Sequence, residues 1–298
     1  MTTTEERKEL NAERLLGGSV KRSYNSLIDI DWDAPIDPDM FFLPPEASSL
    51  YGTPLWDSMT HRQRVELTKH EYVNLLSVGH WFENTLNQAL MRLVLKADPT
   101  SRHAQYALTE VGDETRHMIM FGRVIEAIGE RPFLLNRTEQ RIVQALPRVY
   151  GTGLMLWVSA LIGEEIFDHW QRQVMKDERV QPITRQMMKI HVTEEARHIR
   201  WAREGVVRRL SVGRRLEVAY VRLLISFVGP LFRRLLINPG AFKRAGLDPK
   251  VAVKQAMANP DFAAYQQFGF SKLHQYLEEQ KLLTGYGRRS WRRSGWIG

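Results

Sequence analysis

The sequence predicts an all-α protein, in which additional helices pack around a central four-helix bundle. Three observations support this prediction. Apolar residues recur at three- and four-residue steps through several long stretches, which is the period of an amphipathic helix. The motif Glu-x-x-His occurs twice inside such stretches. Few segments show the two-residue alternation of a half-buried strand, so we expect little or no sheet.

The bulk composition is that of one large globular domain. The chain has 298 residues, of which 43% are hydrophobic and 26% are charged, and it can bury a sizeable core. It contains no cysteine, which excludes disulfides, iron–sulfur clusters and thiolate metal ligands. The first residues are polar and acidic, unlike a signal peptide, so we expect a cytoplasmic protein.

The formal net charge of +8 does not by itself indicate a nucleic-acid partner. Much of the excess lies in 203–215 and 288–293, which we interpret as a solvated helix face and a flexible tail. The most apolar stretch, 218–232, is short for a membrane span and contains Arg222 and Pro230. We therefore expect a buried helix with a proline kink there, no membrane span and no nucleic acid.

We divide the chain into three parts. Residues 1–59 form an N-terminal extended arm and a short helix, because 24–56 is rich in proline, aspartate and aromatic residues and shows no helical period. Residues 60–283 form the helical domain that holds both motifs. Residues 284–298 form a basic C-terminal tail.

Four long helices of the helical domain form the predicted bundle. They run from 60 to about 97, from 101 to 129, from 152 to 177 and from 182 to about 210. Thr60 suits an N-cap, Pro99 follows the end of the first helix, and Pro182 suits the first position of the fourth. Shorter helices are expected at 214–237, 250–258 and 260–283.

The two motifs have the same residue types at the same spacing. Glu114 and His117 form the first motif, and Glu195 and His198 form the second. Residues three apart share one face of a helix, so the two side chains of each motif project together. Either copy alone is weak evidence, but two copies on long helices indicate a shared role.

Each motif is preceded by an apolar helix that contains a further glutamate. Glu83 lies 31 residues before Glu114, and Glu164 lies 31 residues before Glu195. The adjacent Glu165 is an alternative to Glu164. The spacing favours Glu164, and so does its register, because Glu83 and Glu164 share a small residue four positions before and an apolar residue three positions after.

These residues are the ligand set of a dinuclear metal site in a four-helix bundle, with one glutamate from each of two helices and one Glu-x-x-His from each of the other two. Four carboxylates neutralise two divalent cations. Mixed carboxylate and imidazole ligands suit iron or manganese. We expect two iron ions, with manganese as an alternative in one or both positions. The competing interpretation is that the motifs are surface pairs that stabilise helices.

His191 extends the second motif, so that one helix face presents His-x-x-x-Glu-x-x-His. With this feature the chain resembles the p-aminobenzoate N-oxygenase family (AurF-type), whose members are non-haem di-iron enzymes with a ferritin-like, ribonucleotide-reductase-like helical bundle. The resemblance covers residues 60–210 and depends most on His191, since related ferritin-like sites commonly have two histidines. Glu194 departs mildly from the aspartate that the family often has there.

Carried over residue by residue, the resemblance implies seven metal ligands and no further catalytic residue or organic cofactor. They are Glu83, Glu114, His117, Glu164, His191, Glu195 and His198. The resemblance also implies that the metal activates O₂ to oxidise an amine, by N-oxygenation of an arylamine-like small molecule. The groups that bind the substrate do not carry over.

The electrons for this chemistry have to come from another protein. No Gly-x-Gly-x-x-Gly motif follows a predicted strand, so we expect an external ferredoxin or reductase. Two other functions stay open: a hydroxylase or desaturase-type oxidase with an Fe/Fe or Mn/Fe site that acts on a C–H bond, and a non-enzymatic metal-binding bundle. A homodimer is also left open.

Several residues near the motifs have two interpretations. Arg116 and Arg197 each precede a motif histidine, and each either forms a salt bridge to a neighbouring acidic residue or faces solvent. His80 and His169 either lie at the surface or form hydrogen bonds to the metal ligands. Five aromatic residues belong to the core, and we expect one or two of them to line the substrate cavity. They are Trp81, Phe82, Phe121, Trp157 and Phe167.

Overall fold

The computed structural model describes residues 4–298, apart from the side chains of 149 and 150. The prediction of an all-α helical bundle is confirmed. In chain order the helices are α1 (Thr4–Lys21), α2 (Pro54–Asp57), α3 (His61–Val94), α4 (Arg102–Ala127), α5 (Arg137–Tyr150), α6 (Leu154–Val174), α7 (Pro182–Ser211), α8 (Arg215–Leu236), α9 (Pro239–Arg244), α10 (Pro249–Ala258), α11 (Pro260–Glu279) and α12 (Gly285–Arg293). Within the described residues, β pairing is limited to an isolated parallel bridge between Phe41 and Val180.

The four predicted bundle helices are α3, α4, α6 and α7. Helix α3 begins with a capping box, in which the side chains of Thr60 and Gln63 each accept a hydrogen bond from the other residue's backbone N–H. The Ser101 hydroxyl accepts from a backbone N–H at the start of α4, and Pro182 occupies the first turn of α7. All four helices lie within a few residues of their predicted limits, because caps and breakers are local signals.

Within the bundle, α3 packs along α4 and α6 packs along α7, while α4 also meets α7 and α3 meets α6. Glycines allow the closest approaches. A Cβ atom at Gly205 in α7 would overlap the Trp157 ring of α6, and one at Gly163 in α6 would overlap the Phe82 ring of α3. All four helices therefore turn one face towards a common interior, and the motif residues lie on those faces.

The outer helices cover the bundle. Helix α1 packs on α4 and α7, α11 packs on α6, and α12 packs on α8. At its N-terminus the chain forms an 18-residue helix rather than a short one. Helices α5, α9 and α12 lie outside the predicted elements. The division of the chain into three parts stays a prediction.

The C-terminal residues do not form the flexible tail that their charge suggests. Trp291 and Trp296 are fully buried against α8. Their indole N–H groups donate to the carbonyl oxygens of Ile225 at 2.9 Å and Gly229 at 2.7 Å. The expectation is wrong because it considered only the arginines, which are exposed. The two buried tryptophan side chains hold the segment in place.

Helix α8 contains Pro230, as the pattern in 218–232 predicts, but it is not a buried core helix. Val221 and Ile225 lie on its buried face, whereas Leu216 is 88% exposed and Phe227 is 55% exposed. A uniformly apolar stretch does not reveal which face is covered. Among residues 4–298, no helix has both the length and the apolar character needed to cross a membrane.

The segment 24–56 consists mainly of turns and bends, apart from the short helix α2 and a 3₁₀ turn at Pro45–Ala47. It is largely exposed up to Met40 and largely buried from Phe42 to Leu50. Gln181 fastens it to the start of α7. The Gln181 side-chain amide donates to the carbonyl oxygens of Asp37 at 2.6 Å and Met40 at 3.0 Å. These bonds place the arm beside the end of the bundle at which α7 begins.

Candidate metal centre

The seven side chains predicted as ligands converge in the interior of the bundle, and all of them are buried. They form two groups of four that share one glutamate, and within each group the candidate ligand atoms lie within 4.8 Å of one another. The first group is Glu83, His117, His191 and Glu195, and the second is Glu114, Glu164, Glu195 and His198. That these residues bind metal stays a prediction.

Every bundle helix supplies at least one of the seven. Helix α3 supplies Glu83, α4 supplies Glu114 and His117, α6 supplies Glu164, and α7 supplies His191, Glu195 and His198. The three- and four-residue spacings turn the side chains of each helix to one face. The alternative glutamate, Glu165, lies outside both groups and forms an ion pair with Arg203 instead.

The two motif histidines face the shared carboxylates through the same ring atom. His117 Nδ1 lies 2.9 Å from Glu114 Oε2 and 3.1 Å from Glu195 Oε1. His198 Nδ1 lies 2.9 Å from Glu114 Oε1 and 3.1 Å from Glu195 Oε2. Glu114 and Glu195 therefore stand between the two imidazoles, each within 3.1 Å of both.

The other ring nitrogen of each histidine, Nε2, contacts an acidic residue of the opposite motif. His117 Nε2 lies 2.9 Å from Glu194 Oε2, and His198 Nε2 lies 3.2 Å from Asp113 Oδ2. The acidic residue that opens each motif thus binds the histidine of the other motif. A carboxylate on the outer nitrogen fixes the orientation of a ligand imidazole and directs the inner nitrogen to a metal.

The two motif arginines extend this network unequally. Arg116 forms an ion pair with Asp113 and stays partly exposed. Arg197 is more deeply buried, and its Nη2 lies 3.2 Å from Asp113 Oδ2 and 3.9 Å from Glu194 Oε1. Both arginines therefore pair with acidic residues rather than only facing solvent, and Arg197 contacts both outer carboxylates.

His191 is oriented by a residue that the sequence does not single out. Its Nδ1 lies 2.9 Å from Gln171 Oε1 of α6, so Nε2 faces the cluster, 3.5 Å from Glu83 Oε1. Gln171 follows Glu164 by seven residues and so lies on the same face of α6. That spacing is the signal that could have identified it.

The buried groups have strongly shifted pKa values. Burial raises the pKa of Glu83 and Glu164 well above the ordinary value, and neighbouring carboxylates raise it further. Burial opposes the protonation of His117 and His198, but the surrounding carboxylates outweigh it and raise the pKa of both well above the ordinary value. Burial lowers the pKa of His191 to about 4.

These groups fit a pair of divalent cations. Glu83 Oε2, Glu164 Oε1 and His191 Nε2 have no hydrogen-bond partner within residues 4–298. Buried carboxylates repel one another unless protons or cations neutralise them, and four carboxylates balance two divalent ions. Oxygen and imidazole donors without thiolate match iron or manganese better than structural zinc.

A small apolar cavity adjoins Glu83 and His191, and its volume is about 30 Å³. Three of the five aromatic residues, Phe82, Phe121 and Phe167, are among the residues that line it. That it is the substrate cavity stays a prediction. Among the described lining residues, the polar side chains are those of the two candidate ligands and Gln171. From here on we call it the inner cavity.

The remaining aromatic and histidine expectations are met in part. Trp157 is a core residue that packs edge-on against Trp201, and Trp81 lines a separate groove between α3 and α5 together with His80. His169 stacks on Phe268, away from the cluster. Neither histidine is in hydrogen-bond contact with a candidate ligand among the described residues.

One buried acid near the cluster has no sequence signature. Glu110 precedes Glu114 by one helical turn, and both of its carboxyl oxygens lack a hydrogen-bond partner within residues 4–298. Burial raises its pKa well above the ordinary value. A glutamate four residues before a motif glutamate is common on helices, so the sequence offered no reason to select it.

A family model described as p-aminobenzoate N-oxygenase AurF matches residues 5–281. An uncharacterised protein of Mycobacterium bovis is 29% identical over 287 residues, an alignment that covers 92% of this chain and 83% of the relative. An uncharacterised protein of Mycobacterium tuberculosis strain H37Rv has the same identity and coverage. The family match spans every bundle helix and all seven clustered side chains, and the chain belongs to the p-aminobenzoate N-oxygenase AurF family.

Proposed function

We propose that this protein is a non-haem di-iron monooxygenase that uses O₂ to oxygenate the nitrogen of a small arylamine-like molecule. Its family is a family of di-iron oxygenases, which supports an oxidoreductase. The observation that supports the proposal most is the buried cluster of four carboxylates and three imidazoles in two groups that share Glu195.

The proposed ligands divide along the two groups. Glu83, His117 and His191 would hold one iron ion, and Glu164 and His198 would hold the other. Glu114 and Glu195 stand between the two motif histidines and would supply oxygen ligands on both sides. Bound iron would supply the redox equivalents and open coordination positions that O₂ activation needs.

The chain's own residues orient the donor atoms and surround the space beside them with aromatic side chains. Glu194 and Asp113 hold the motif imidazoles from outside, and Gln171 holds His191, so that the donor atoms are oriented before a metal arrives. The aromatic wall of the inner cavity keeps the space beside Glu83 and His191 small and largely apolar. A substrate nitrogen placed there would lie next to the candidate metal position.

We also propose an external electron donor, a ferredoxin or reductase, because the sequence has no dinucleotide-binding motif. Repeated turnover of the purified protein with NADH alone would contradict this. A cytoplasmic location is part of the same proposal. Manganese at one or both metal positions and a homodimer are alternatives that it leaves open.

The first experiment is to measure metal content and product together. We expect two iron ions per chain after expression in iron-supplemented medium, and a loss of iron in Glu114→Ala with the helical circular dichroism retained. Incubation with ¹⁸O₂, a chemical reductant and a panel of arylamines should place ¹⁸O on nitrogen. Iron content that does not change in Glu114→Ala would reject the site.

The same product analysis tests a second function, oxidation of a C–H bond. The apolar lining of the inner cavity is the observation that favours it, since apolar walls also suit an alkyl group that presents a C–H bond. A C-hydroxylated product or an alkene would support a hydroxylase or desaturase. Iron oxidation with no substrate of either kind would support a metal-binding bundle without coupled chemistry.

A further inference from the structure

A second cavity lies beside the inner cavity, and the two share Leu75 and Phe167 as lining residues. Its volume is about 60 Å³, and its walls come from α3, α6, α8, α11 and the arm. Trp170 and Phe270 are among its apolar lining residues. We call it the outer cavity, and Leu75 and Phe167 separate it from the inner cavity and the candidate metal ligands.

Two buried polar side chains of the outer cavity have unused hydrogen-bonding atoms. Gln266 of α11 is 4% exposed, and neither its Nε2 nor its Oε1 has a partner within residues 4–298. Glu71 of α3 is 9% exposed. Its Oε1 accepts from Ser49 N at 2.9 Å and Ser49 Oγ at 2.5 Å, whereas its Oε2 has no partner among the described residues.

A third polar side chain of this cavity, that of Asn74, has hydrogen-bond partners for both its nitrogen and its oxygen. Asn74 Nδ2 donates to Leu235 O at 2.8 Å, and Asn74 Oδ1 accepts from Asn238 Nδ2 at 2.7 Å. Asn74 therefore ties α3 to the end of α8 and has a structural role. Gln266 and Glu71 are different, because an unpaired buried polar atom costs free energy that native proteins rarely leave uncompensated.

Close packing of α11 against α6 sets the position of Gln266. Helix α11 approaches α6 at Gly269, where a Cβ atom would stand 3.1 Å from Trp170 Cδ1. This contact holds the face of α11 that carries Gln266 and Phe270 against the outer cavity. The amide is thus presented to the cavity by two packed helices.

We propose that the outer cavity is a second subsite for the substrate, in which Gln266 and Glu71 bind a polar group at the far end of the molecule. This rests on the proposed function, in which the reacting nitrogen lies in the inner cavity. The substrate would be elongated. Because the two cavities measure only about 30 and 60 Å³, its apolar middle would have to displace the Leu75 and Phe167 side chains that separate them. Its distal group is uncharged and both donates and accepts hydrogen bonds, as a carboxamide does.

The charges of the outer cavity exclude an anionic distal group. Its described lining residues include no arginine, lysine or histidine, and they do include Glu71. A carboxylate there would be buried without a counter-charge. An amide on Gln266, in contrast, can exchange a donor and an acceptor with a second amide, which satisfies both unpaired atoms.

Binding of three probes tests the proposal. 4-Aminobenzamide, 4-aminobenzoate and 4-methylaniline carry an amide, a carboxylate or a methyl group opposite the same amine. We expect calorimetry on the full-length protein to show that 4-aminobenzamide binds about tenfold or more tightly than the other two, since a site built to bond a polar group rejects analogues without it. The ratio should fall towards one in Gln266→Leu.

Gln267→Leu is the matched control, because Gln267 donates to Gly295 O at 3.0 Å and does not line the cavity. The control should keep the wild-type preference. Equal affinities in the wild type, an unchanged ratio in Gln266→Leu, or no binding by any probe at millimolar concentration would each overturn the proposal. Titrations with and without iron separate this result from the proposed oxygenase activity.

Thermal unfolding supplies a readout that does not depend on a ligand. Replacing an unpaired buried amide with an apolar side chain should leave the Tm unchanged or raise it by about 2 to 4 °C. Gln267→Leu should lower the Tm, because it removes a hydrogen bond to the C-terminal segment. A clear fall of Tm in Gln266→Leu would assign Gln266 to a structural role and reject the subsite.

Discussion

At the scale of single residues, the cluster is organised by one shared carboxylate and two crossed contacts. Glu195 belongs to both groups of candidate ligands. Asp113 and Glu194 each hold the histidine of the opposite motif, so the two repeats depend on one another. Removing a shared group should therefore have a larger effect than removing a group that belongs to one side.

Glu195→Ala and Glu83→Ala should lose different amounts of iron. Because Glu195 serves both groups, we expect almost complete loss of iron in Glu195→Ala and loss of about one of two ions in Glu83→Ala. Metal analysis of purified protein measures this. Glu165→Gln is the control, since Glu165 pairs with Arg203 outside the cluster, and it should keep both ions. Equal losses in the two alanine variants would contradict the shared role of Glu195.

Gly163 is the residue at which an added methyl group should matter most. A Cβ atom there would overlap the Phe82 ring, which lines the inner cavity. We expect Gly163→Ala to destabilise the protein by about 1–3 kcal/mol, despite the higher helix propensity of alanine. Urea unfolding measures the change.

Gly122→Ala is the matched case in α4, because no atom lies within 4 Å of its added Cβ. Here only the higher helix propensity of alanine acts, and we expect it to stabilise the protein by up to about 1 kcal/mol. If both variants changed stability in the same direction by the same amount, the close contact between Gly163 and Phe82 would have no energetic importance.

At the scale of elements, α12 shows how a charged segment becomes part of the fold. Its arginines lie largely at the surface, while Trp291 within it and Trp296 just after it are buried against α8. The Trp296 ring contacts Phe232 of α8 and Phe270 of α11. Since Phe270 also lines the outer cavity, Trp296 supports one wall of that cavity from behind.

Trp296→Ala should lower the free energy of unfolding by about 3–5 kcal/mol, the usual cost of deleting a buried indole. The physical reason is the lost apolar contact and the lost hydrogen bond from the indole N–H to the Gly229 carbonyl oxygen. Denaturant titration measures it. Arg289→Ala, at an exposed position of the preceding helix α12, should stay within about 0.5 kcal/mol of wild type. A similar effect of both variants would mean that burial of Trp296 does not hold the C-terminal segment in place.

At the scale of the whole molecule, stability and metal binding are linked through protons. Glu83, Glu164, His117 and His198 all have a pKa raised well above the ordinary value in the folded chain. The folded metal-free protein therefore keeps protons that the unfolded chain has released above about pH 7. Its stability must fall as pH rises towards the folded pKa values.

We expect the Tm of metal-free protein to fall between pH 7 and pH 9, a range above the unfolded pKa of every carboxyl and imidazole. The histidines whose pKa burial lowers, such as His191, do not titrate in this range and so do not oppose the effect. Iron-loaded protein should show little of it, because cations replace the protons. Differential scanning calorimetry measures both curves. A Tm of the metal-free protein that is constant or rises over this range would contradict the expectation.

The sequence by itself determined the features that depend on nearby residues. Thr60 and Ser101 mark helix starts through hydrogen bonds within one turn, and Pro182 does so through its fixed φ, so the bundle helices could be placed to within a few residues. Helical spacing also indicated which face of each helix carries the candidate ligands, and Glu164 rather than Glu165 lies in one of the two groups.

Only the tertiary structure decided which faces meet. The contacts of Glu194 with His117 and of Asp113 with His198 join residues on different helices, and local spacing carries no information about such pairs. The burial of α12 and the unpaired atoms of Gln266 likewise depend on segments far apart in the chain. Periodicity and capping act over one or two turns, whereas the shape of a cavity depends on how every surrounding helix packs.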